Sequence, residues 1–535
     1  MVDPGSPPAR AGPPMTTFGT AKGNPSALVE VRQRRVRSTT LHVMGIAVAA
    51  VSIGMFVGAV VEWGSTDRDT DALLLSGVIA LLLGSALWLL TEPGDVRARD
   101  VFSAVGWTWL VVTLVGALPY LLGGTFDVAG IDRSGQLVNS IFESASGFSC
   151  TGSTALTDFD HPGRGTMMYR QITQWYGGMG VVVLAVAVLP FLGVGGLDLM
   201  VAEAPGEGGD RLTPRVSETA KRLWATYVVF TAAVAVVLFA IPGPSLYDGI
   251  AHALTTASTG GFSPRSDSIG SFDSVAVEIA IIVGMFVGGT NFALHWRAVR
   301  GETGAYRRDS EFRAYFVMLV VLSVFVVGVL WLDGGFELTT ALRAGVFNVV
   351  ALGTSTGFGS AQGSGSAGDF VLWVPAAQMV LLGLFVVGAS TGSTSGGIKV
   401  LRVQVLLSHS LRAIRRSQYP HAVMPVKHGR TAVREDIVSR MAGFFLVYLL
   451  LVLTGIIVLT ALDGGFLESI GAVVGALGNM GPALGEAGPT ANFTEAFSEP
   501  ARLVLSLYML IGRLEIFPIL LMFAAPLRAA RDRLG

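Results

Sequence analysis

Four short stretches of this sequence combine glycine with small, hydroxylated or amide residues. They are Ser149-Cys150-Thr151-Gly152-Ser153, Ala257-Ser258-Thr259-Gly260-Gly261, Thr354-Ser355-Thr356-Gly357-Phe358 and Gly478-Asn479-Met480-Gly481-Pro482. Each carries a glycine after two residues that are mostly small or hydroxylated, and Gly152, Gly260, Gly357 and Gly481 are spaced 108, 97 and 124 residues apart. The chemistry that suits such turns is cation coordination. An extended backbone points carbonyls inward, where they replace the hydration shell of an ion. Glycine adopts the conformations that this requires without a Cβ penalty. Other chemistries find little support. The single cysteine, Cys150, excludes an intramolecular disulfide framework and any cysteine-clustered metal site. The 7 histidines form no closely spaced pair on an apolar helix. There is no H-E-x-x-H, no Ser/His pairing and no paired intramembrane carboxylates, so no enzyme is expected.

The elements that must hold these turns lie in a membrane. The chain is 51% hydrophobic and 14% charged, with mean hydropathy +0.60, where soluble domains carry about 25% charged residues. A net charge of −1 offers nothing to nucleic acid. A bilayer core takes about 20 apolar residues per helix. About ten spans meet this, at roughly 41–62, 71–91, 101–123, 172–198, 223–242, 275–296, 315–332, 370–390, 441–462 and 501–525. Four further apolar segments, about 136–148, 246–258, 340–353 and 465–478, are half as long and each runs into a glycine turn. A helix of about 13 residues covers only about 20 Å, so these read as re-entrant pore helices. With the N-terminus in the cytosol, 28 of the 37 Lys and Arg fall on the cytosolic side. This satisfies the positive-inside rule and sets every re-entrant segment on the outer side. The fold class expected is an all-α integral membrane protein with four tandem helix–pore-helix–filter–helix repeats around one pore, plus two N-terminal transmembrane helices. The divisions are a disordered, basic cytosolic tail over 1–37, the two extra helices over 38–95, and repeats over 96–200, 215–300, 310–410 and 436–530. The apolar run after Thr40 is long enough to be retained as a helix and is not a signal peptide.

At these residues the chain resembles the Trk/Ktr/HKT superfamily of K⁺ transporters, and most closely the bacterial Trk-type pore subunit. The resemblance covers about 40–530 and rests on SGFSCTGS, TTASTGGFSPRSDSIG, STGFG, ALGNMGP, the GASTGSTSGGIK stretch ending at Lys399, and IGRLEIFP at 511–518. It implies potassium uptake through a filter with one glycine per repeat, at Gly152, Gly260, Gly357 and Gly481. The filter residues it marks are Cys150, Thr151, Gly152, Ser258, Thr259, Gly260, Ser355, Thr356, Gly357, Asn479, Met480 and Gly481. Glycine at all four positions goes with K⁺ preference in the family, and the two leading spans resemble Trk rather than Ktr. Cys150 departs from the common threonine, and Met480 makes the fourth turn the least polar. K⁺ is the transported ion, with no organic cofactor on this chain. A Na⁺ or cation-coupled K⁺ symporter on the same fold is the alternative, followed by a secondary transporter of another solute.

The stretch 388–397 lies where a helix should cross, yet its Gly, Ser and Thr residues do not sustain a straight helix, since each Gly costs up to about 1 kcal/mol against Ala. The resemblance makes it an intramembrane gating loop, with Gly392, Ser393, Thr394, Gly396 and Gly397 as gate residues and Lys399 at its cytosolic end. A small-residue packing surface is the competing reading, as snorkelling is for Lys399. Arg513 interrupts the last apolar helix and needs a partner or water. The resemblance sets it near the pore constriction, and a purely structural pairing competes. Glu143, inside the first half-helix, also needs a partner. Asp158, Asp160, Asp267, Asp273 and Asp369 surround the outer mouth, where acidic groups concentrate cations or form a solvated surface. The basic stretch 408–430 reads as a membrane-surface helix, a subunit contact, or both. No G-x-G-x-x-G fingerprint follows a predicted strand. The resemblance implies a cytosolic nucleotide-binding regulatory ring as partner, together with a homodimer in the plasma (inner) membrane, contacting lipid; the Lys and Arg count sets both termini in the cytosol.

Overall fold

The computed structural model describes residues 36–64, 67–94, 98–187, 212–429, 431–463 and 465–514. Most of the tail expected over 1–37 and the far ends of the spans expected over 172–198 and 501–525 lie outside them. Helices α1 (Thr39–Glu62) and α2 (Asp67–Leu90) form the leading hairpin. Their apolar residues run all round the helix, as a span demands. Gly45 and Gly84 let the two backbones close up, because a Cβ on Gly84 would fall on the Ala49 backbone and one on Gly45 would lie 2.6 Å from Trp88 N. The hairpin packs against α3 (Ala98–Gly116) and, beyond the first half-helix α4 (Arg133–Phe148), against α5 (Arg164–Ala187).

The same succession then repeats. Helix α6 (Leu212–Ala240) leads to the half-helix α7 (Leu246–Ala257) and to α8 (Val275–Gly288). Two short helices, α9 (Phe292–Val299) and α10 (Ala305–Arg308), precede α11 (Ser310–Leu332), half-helix α12 (Leu338–Gly353) and α13 (Pro375–Val386). Helix α14 (Val400–Gln418) leads to α15 (Glu435–Asp463), half-helix α16 (Phe466–Gly478) and α17 (Glu499–Arg513). Six helices among the described residues are long and apolar enough to cross a bilayer. The four half-helices begin and end within about three residues of the expected segments. Side-chain caps start the first two: Asp132 accepts from Gly135 N, and Ser245 with Asp248 forms a capping box.

One expected span is not straight. The segment 275–296 breaks after Gly288, and α8 and α9 meet at 100°. Asn291 accepts from Ala293 N at 2.9 Å and starts a new helix, while Gly289 lies so close to α11 that a Cβ there would sit 2.5 Å from the Tyr315 hydroxyl. The apolar run continues through the break, so hydropathy alone conceals it. Since α1 and α2 approach through glycine, Gly84→Val should force them apart and lower stability by about 1–3 kcal/mol. Unfolding in detergent, compared with the parent chain, measures this.

Candidate functional site

All four half-helices end in the same way. Thr151 N donates to Ser146 O, Gly260 N to Thr255 O, Thr356 N to Ala351 O and Met480 N to Gly475 O, each at 2.8–2.9 Å. The residue before each donor is left-handed: Cys150 (φ 54°), Thr259 (φ 50°), Ser355 (φ 57°) and Asn479 (φ 52°). A non-glycine residue in that region costs on the order of 1–3 kcal/mol. Its repetition at four equivalent places defines the repeat more sharply than the sequence does. It also corrects the register. Two residues after the left-handed residue come Gly152, Gly261, Gly357 and Gly481, so the second repeat is represented by Gly261 and not by Gly260. Two adjacent glycines satisfy the sequence rule equally well, and only the backbone separates them. Gly261 has φ 81°, close to Gly152 at 86° and Gly357 at 75°. The Gly260 carbonyl instead accepts a hydrogen bond from Gln174 Nε2 at 2.6 Å, and Gln174 Oε1 accepts from Phe262 N. Gly481 is the one of the four without a positive φ, consistent with the limits that Pro482 places on the residue before it.

The four turns touch in cyclic order. A Cβ on Gly152 would fall on Gly260 O, and one on Gly261 on Thr356 O. One on Gly357 would lie 2.8 Å from Gly481 N, and one on Gly481 would lie 3.2 Å from Gly152 O. The ring closes within a single chain, and Gly152, Gly261, Gly357 and Gly481 line one cavity of about 170 Å³. Ser153 Oγ donates to Gly481 O at 2.7 Å, joining the first turn to the last. The half-helix C-termini converge on this ring and bring partial negative charge to it. The side chains are less symmetric. Ser149 and Thr151 pair their hydroxyls at 2.6 Å, as Thr354 and Thr356 do at 2.7 Å, while Gly260 and Met480 hold the corresponding places on the other two turns. The Cys150 thiol donates to Gln174 O, and Asn479 Nδ2 donates to Thr151 Oγ1 and Met509 O.

Behind the first turn, Glu143 has its partner. Arg170 Nε lies 2.5 Å from Glu143 Oε1, both fully buried, and Arg170 Nη1 donates to Ser263 O at 2.9 Å. The guanidinium carbon sits 3.4 Å from the Phe262 ring centroid. Glu143 also accepts from Ala155 N at 2.8 Å. The pair therefore ties the chain after turn one to the chain after turn two. The acidic residues are more dispersed than an acidic mouth would require. Asp267 lines the cavity with Arg170 and Arg265. Asp273 is bound by Arg343 at 2.9 Å, which holds its carboxyl below the usual range. Asp369 is buried and accepts from Val371 N, and Asp158 accepts from Asp160 N.

Residues 387–399 form no helix between α13 and α14. Instead the segment folds back on itself, with Gly388 N donating to Ile398 O and Ile398 N to Val386 O. It lies under the ring. Thr394 Oγ1 donates to Ala257 O at 3.0 Å and meets Thr259 Oγ1 at 3.2 Å, and Gly396 N donates to Ser355 Oγ at 2.6 Å. A Cβ on Gly396 would fall on Gly478 O. Gly392 and Gly397 are left-handed, and Ser393 Oγ donates to Ser390 O. Arg513, 3% exposed, donates from Nη1 to Thr394 O at 2.8 Å and from Nη2 to Gly177 O at 3.2 Å. Lys399 is buried rather than reaching for solvent, and its ammonium donates to Ser395 O and Oγ. Thus the structure brings Thr394, Gly396, Lys399 and Arg513 together beneath the turns. Sequence reasoning missed two braces. Gln174 holds the second turn, and Glu311 Oε1 accepts from Thr391 N (2.7 Å), Thr391 Oγ1 and Leu401 N (3.0 Å). The available signal was a carboxylate in the first turn of a span and an amide within another.

The pattern of the TrkH family, a cation transport protein family, matches residues 70–531. The chain is 34% identical over 487 residues to the Trk system potassium uptake protein TrkH of Salmonella typhimurium, covering 90% of this chain and 97% of that protein. It is 30% identical over 489 residues to the Trk system potassium uptake protein TrkG of Escherichia coli. The crystal structure of the potassium transporter TrkH from Vibrio parahaemolyticus superimposes with a TM-score of 0.80 at 30% identity, over 90% of this chain and 98% of that one.

Removing the Glu143 charge should expose the dependence of the ring on its brace. Glu143→Gln leaves Arg170 buried without a counter-charge and should cost about 3–5 kcal/mol. Glu143→Leu combined with Arg170→Met should cost less than either single change, and denaturant unfolding of the purified chains compares them.

Proposed function

The chain belongs to the TrkH family of cation transport proteins, and on that footing we propose that it takes up K⁺ across the membrane through the ring of four turns. It is a multi-pass membrane transport protein, not an enzyme, and the membrane-embedded subunit of a system with other components. The observation that carries the proposal is the closed ring of four glycines beneath which a non-helical loop lies. A bare cation needs a full shell of oxygens, and four backbone segments converging on one axis supply carbonyls from all sides. The coordinating set proposed is Cys150, Thr151 and Gly152, Ser258, Thr259, Gly260 and Gly261, Ser355, Thr356 and Gly357, and Asn479, Met480 and Gly481. Carbonyls dominate it, so Cys150 and Met480 serve without a hydroxyl.

The segment 387–399 acts as the gate in this reading. Its contacts with three of the four turns support it, as does the Arg513 guanidinium held against Thr394 O. A fixed positive charge beside a narrow path opposes cation passage, and opening requires Arg513 to release Thr394. Lys399 holds the far end of the loop through Ser395. The distribution of Lys and Arg supports a plasma-membrane orientation with both termini in the cytosol. The exposed basic residues of α14 and the segment after it form a surface for a second protomer or for a cytosolic nucleotide-binding ring. The repeats over 96–200, 215–300, 310–410 and 436–530 are the proposed units.

Growth of a K⁺-uptake-deficient bacterium at low external K⁺ tests the transport claim. The wild-type chain should restore growth, and failure with Na⁺ uptake in its place would overturn potassium as the substrate. Gly261→Ala sets a side chain on a left-handed residue and onto Thr356 O, so it should abolish uptake even where the protein reaches the membrane. The atoms nearest a Cβ on Gly260 are those of the Gln174 side-chain amide, so Gly260→Ala should retain more uptake; the reverse ranking would reject the corrected register. Arg513→Ala should raise ⁸⁶Rb⁺ flux into proteoliposomes several-fold, and unchanged flux would remove Arg513 from the gate.

A further inference from the structure

A second cavity, of about 730 Å³, lies on the loop's side of the ring, where α8 ends and α11 begins. This falls within the range of sites that hold drug-sized ligands, about 300–1,000 Å³. Phe286, Phe312 and Tyr306 give it an aromatic wall, and His295, Thr290 and Arg307 supply polar groups. Just beyond it on α11, Phe316 and Val317 are exposed. Among the described residues no carboxylate pairs with Arg307, whereas the nearby Arg297 is neutralised by Glu302 at 3.0 Å. An aromatic wall beside exposed apolar residues of α11, with an unneutralised guanidinium at its rim, matches an amphiphile with an anionic head.

Its position matters more than its size. Three successive carbonyls at the frayed end of α8 divide between this cavity and the loop under the ring. Val287 O accepts from His295 Nε2 at 3.0 Å. Gly288 O accepts from Thr394 N at 3.4 Å, and Gly289 O from Ser390 N at 3.1 Å. Because Val287 O only accepts, His295 carries a proton on Nε2, and in the neutral ring Nδ1 accepts from the Tyr306 hydroxyl at 2.8 Å. On the other wall, Phe312 follows Glu311, whose carboxylate accepts from Thr391 and Leu401. A molecule that moved Tyr306, His295 or Phe312 would displace groups one or two residues from the anchors of the loop.

We propose that this cavity binds an anionic phospholipid from the leaflet on the loop's side, and that its occupancy biases the conformation of residues 387–399. The acyl chain lies against Phe286 and Phe312, and the headgroup phosphate meets Arg307. The bias on transport rests on the reading of the loop as a gate; the binding does not.

The test uses the full chain. After reconstitution with mixed phosphatidylcholine and phosphatidylglycerol and re-extraction, native mass spectrometry should find one phosphatidylglycerol retained per chain. Arg307→Glu reverses the rim charge and should weaken retention about thirtyfold. Gly304→Phe fills the mouth, and the nearest atom to a Cβ there is Arg308 Nη2 at 4.0 Å. It should abolish retention without changing thermal stability. Retention equal to wild type in both variants, or equal retention of phosphatidylcholine, would overturn the site. Displacement by millimolar inorganic phosphate would assign the guanidinium to a soluble anion and overturn the lipid. In proteoliposomes, K⁺ flux should depend on phosphatidylglycerol in the wild type and lose that dependence in Gly304→Phe. If the dependence persists while binding is lost, the link to the loop fails.

Discussion

The constraint on which this structure depends is the obligation of every backbone polar group inside a membrane to find a partner. Helices meet it internally, and the ring and the loop beneath it do not. Each turn solves the problem locally by closing the last turn of its half-helix through a bond to the residue five before it, which forces the intervening residue into the left-handed region. That closure frees the following carbonyls from helical bonding and turns the chain towards its neighbours. The strain at Cys150, Thr259, Ser355 and Asn479 is thus part of the same arrangement that leaves oxygens free for a cation. Asn tolerates it best, having a short polar side chain that bonds locally. The other three hold it because packing on every side leaves no alternative.

The loop over 387–399 meets the same obligation by borrowing. Its two ends pair with each other, but the backbone between them takes partners from the end of α8, from Glu311, from Ser355 and from Arg513. A segment satisfied by groups on four different elements is stable only in one relative placement of those elements. When any one moves, several polar groups lose their partners together, and a discrete second arrangement becomes the economical response. This separates the loop from the ring, whose bonds are mostly made between residues close in sequence.

Much of this was legible in the sequence, for reasons that are physical. The half-helices show themselves because a run of about 13 apolar residues is too short to cross and too apolar to be a surface loop. Glu143 and Arg513 mark themselves by their cost, and both have partners. The second repeat's register was not legible. Gly260 and Gly261 are chemically identical, and only the hydrogen bond from Gln174 and the sign of φ distinguish them. The bend after Gly288 was hidden because hydropathy averages over it, and the bracing of the loop by Glu311 joins residues 80 apart in sequence. Pairings of that kind depend on packing, and no local pattern announces them.

The ring is written once along a single chain rather than assembled from identical subunits. In a homotetramer one codon change alters all four quarters of the axis together. Here a single substitution touches one quarter and leaves three intact, so the constraint on each turn can relax or tighten separately. The hydroxyl pairs at Ser149–Thr151 and Thr354–Thr356, set against Gly260 and Met480 on the alternate turns, already record such divergence. Around the axis the hydroxyl pairs thus alternate with turns that lack them, and heredity can adjust the two kinds of quarter independently.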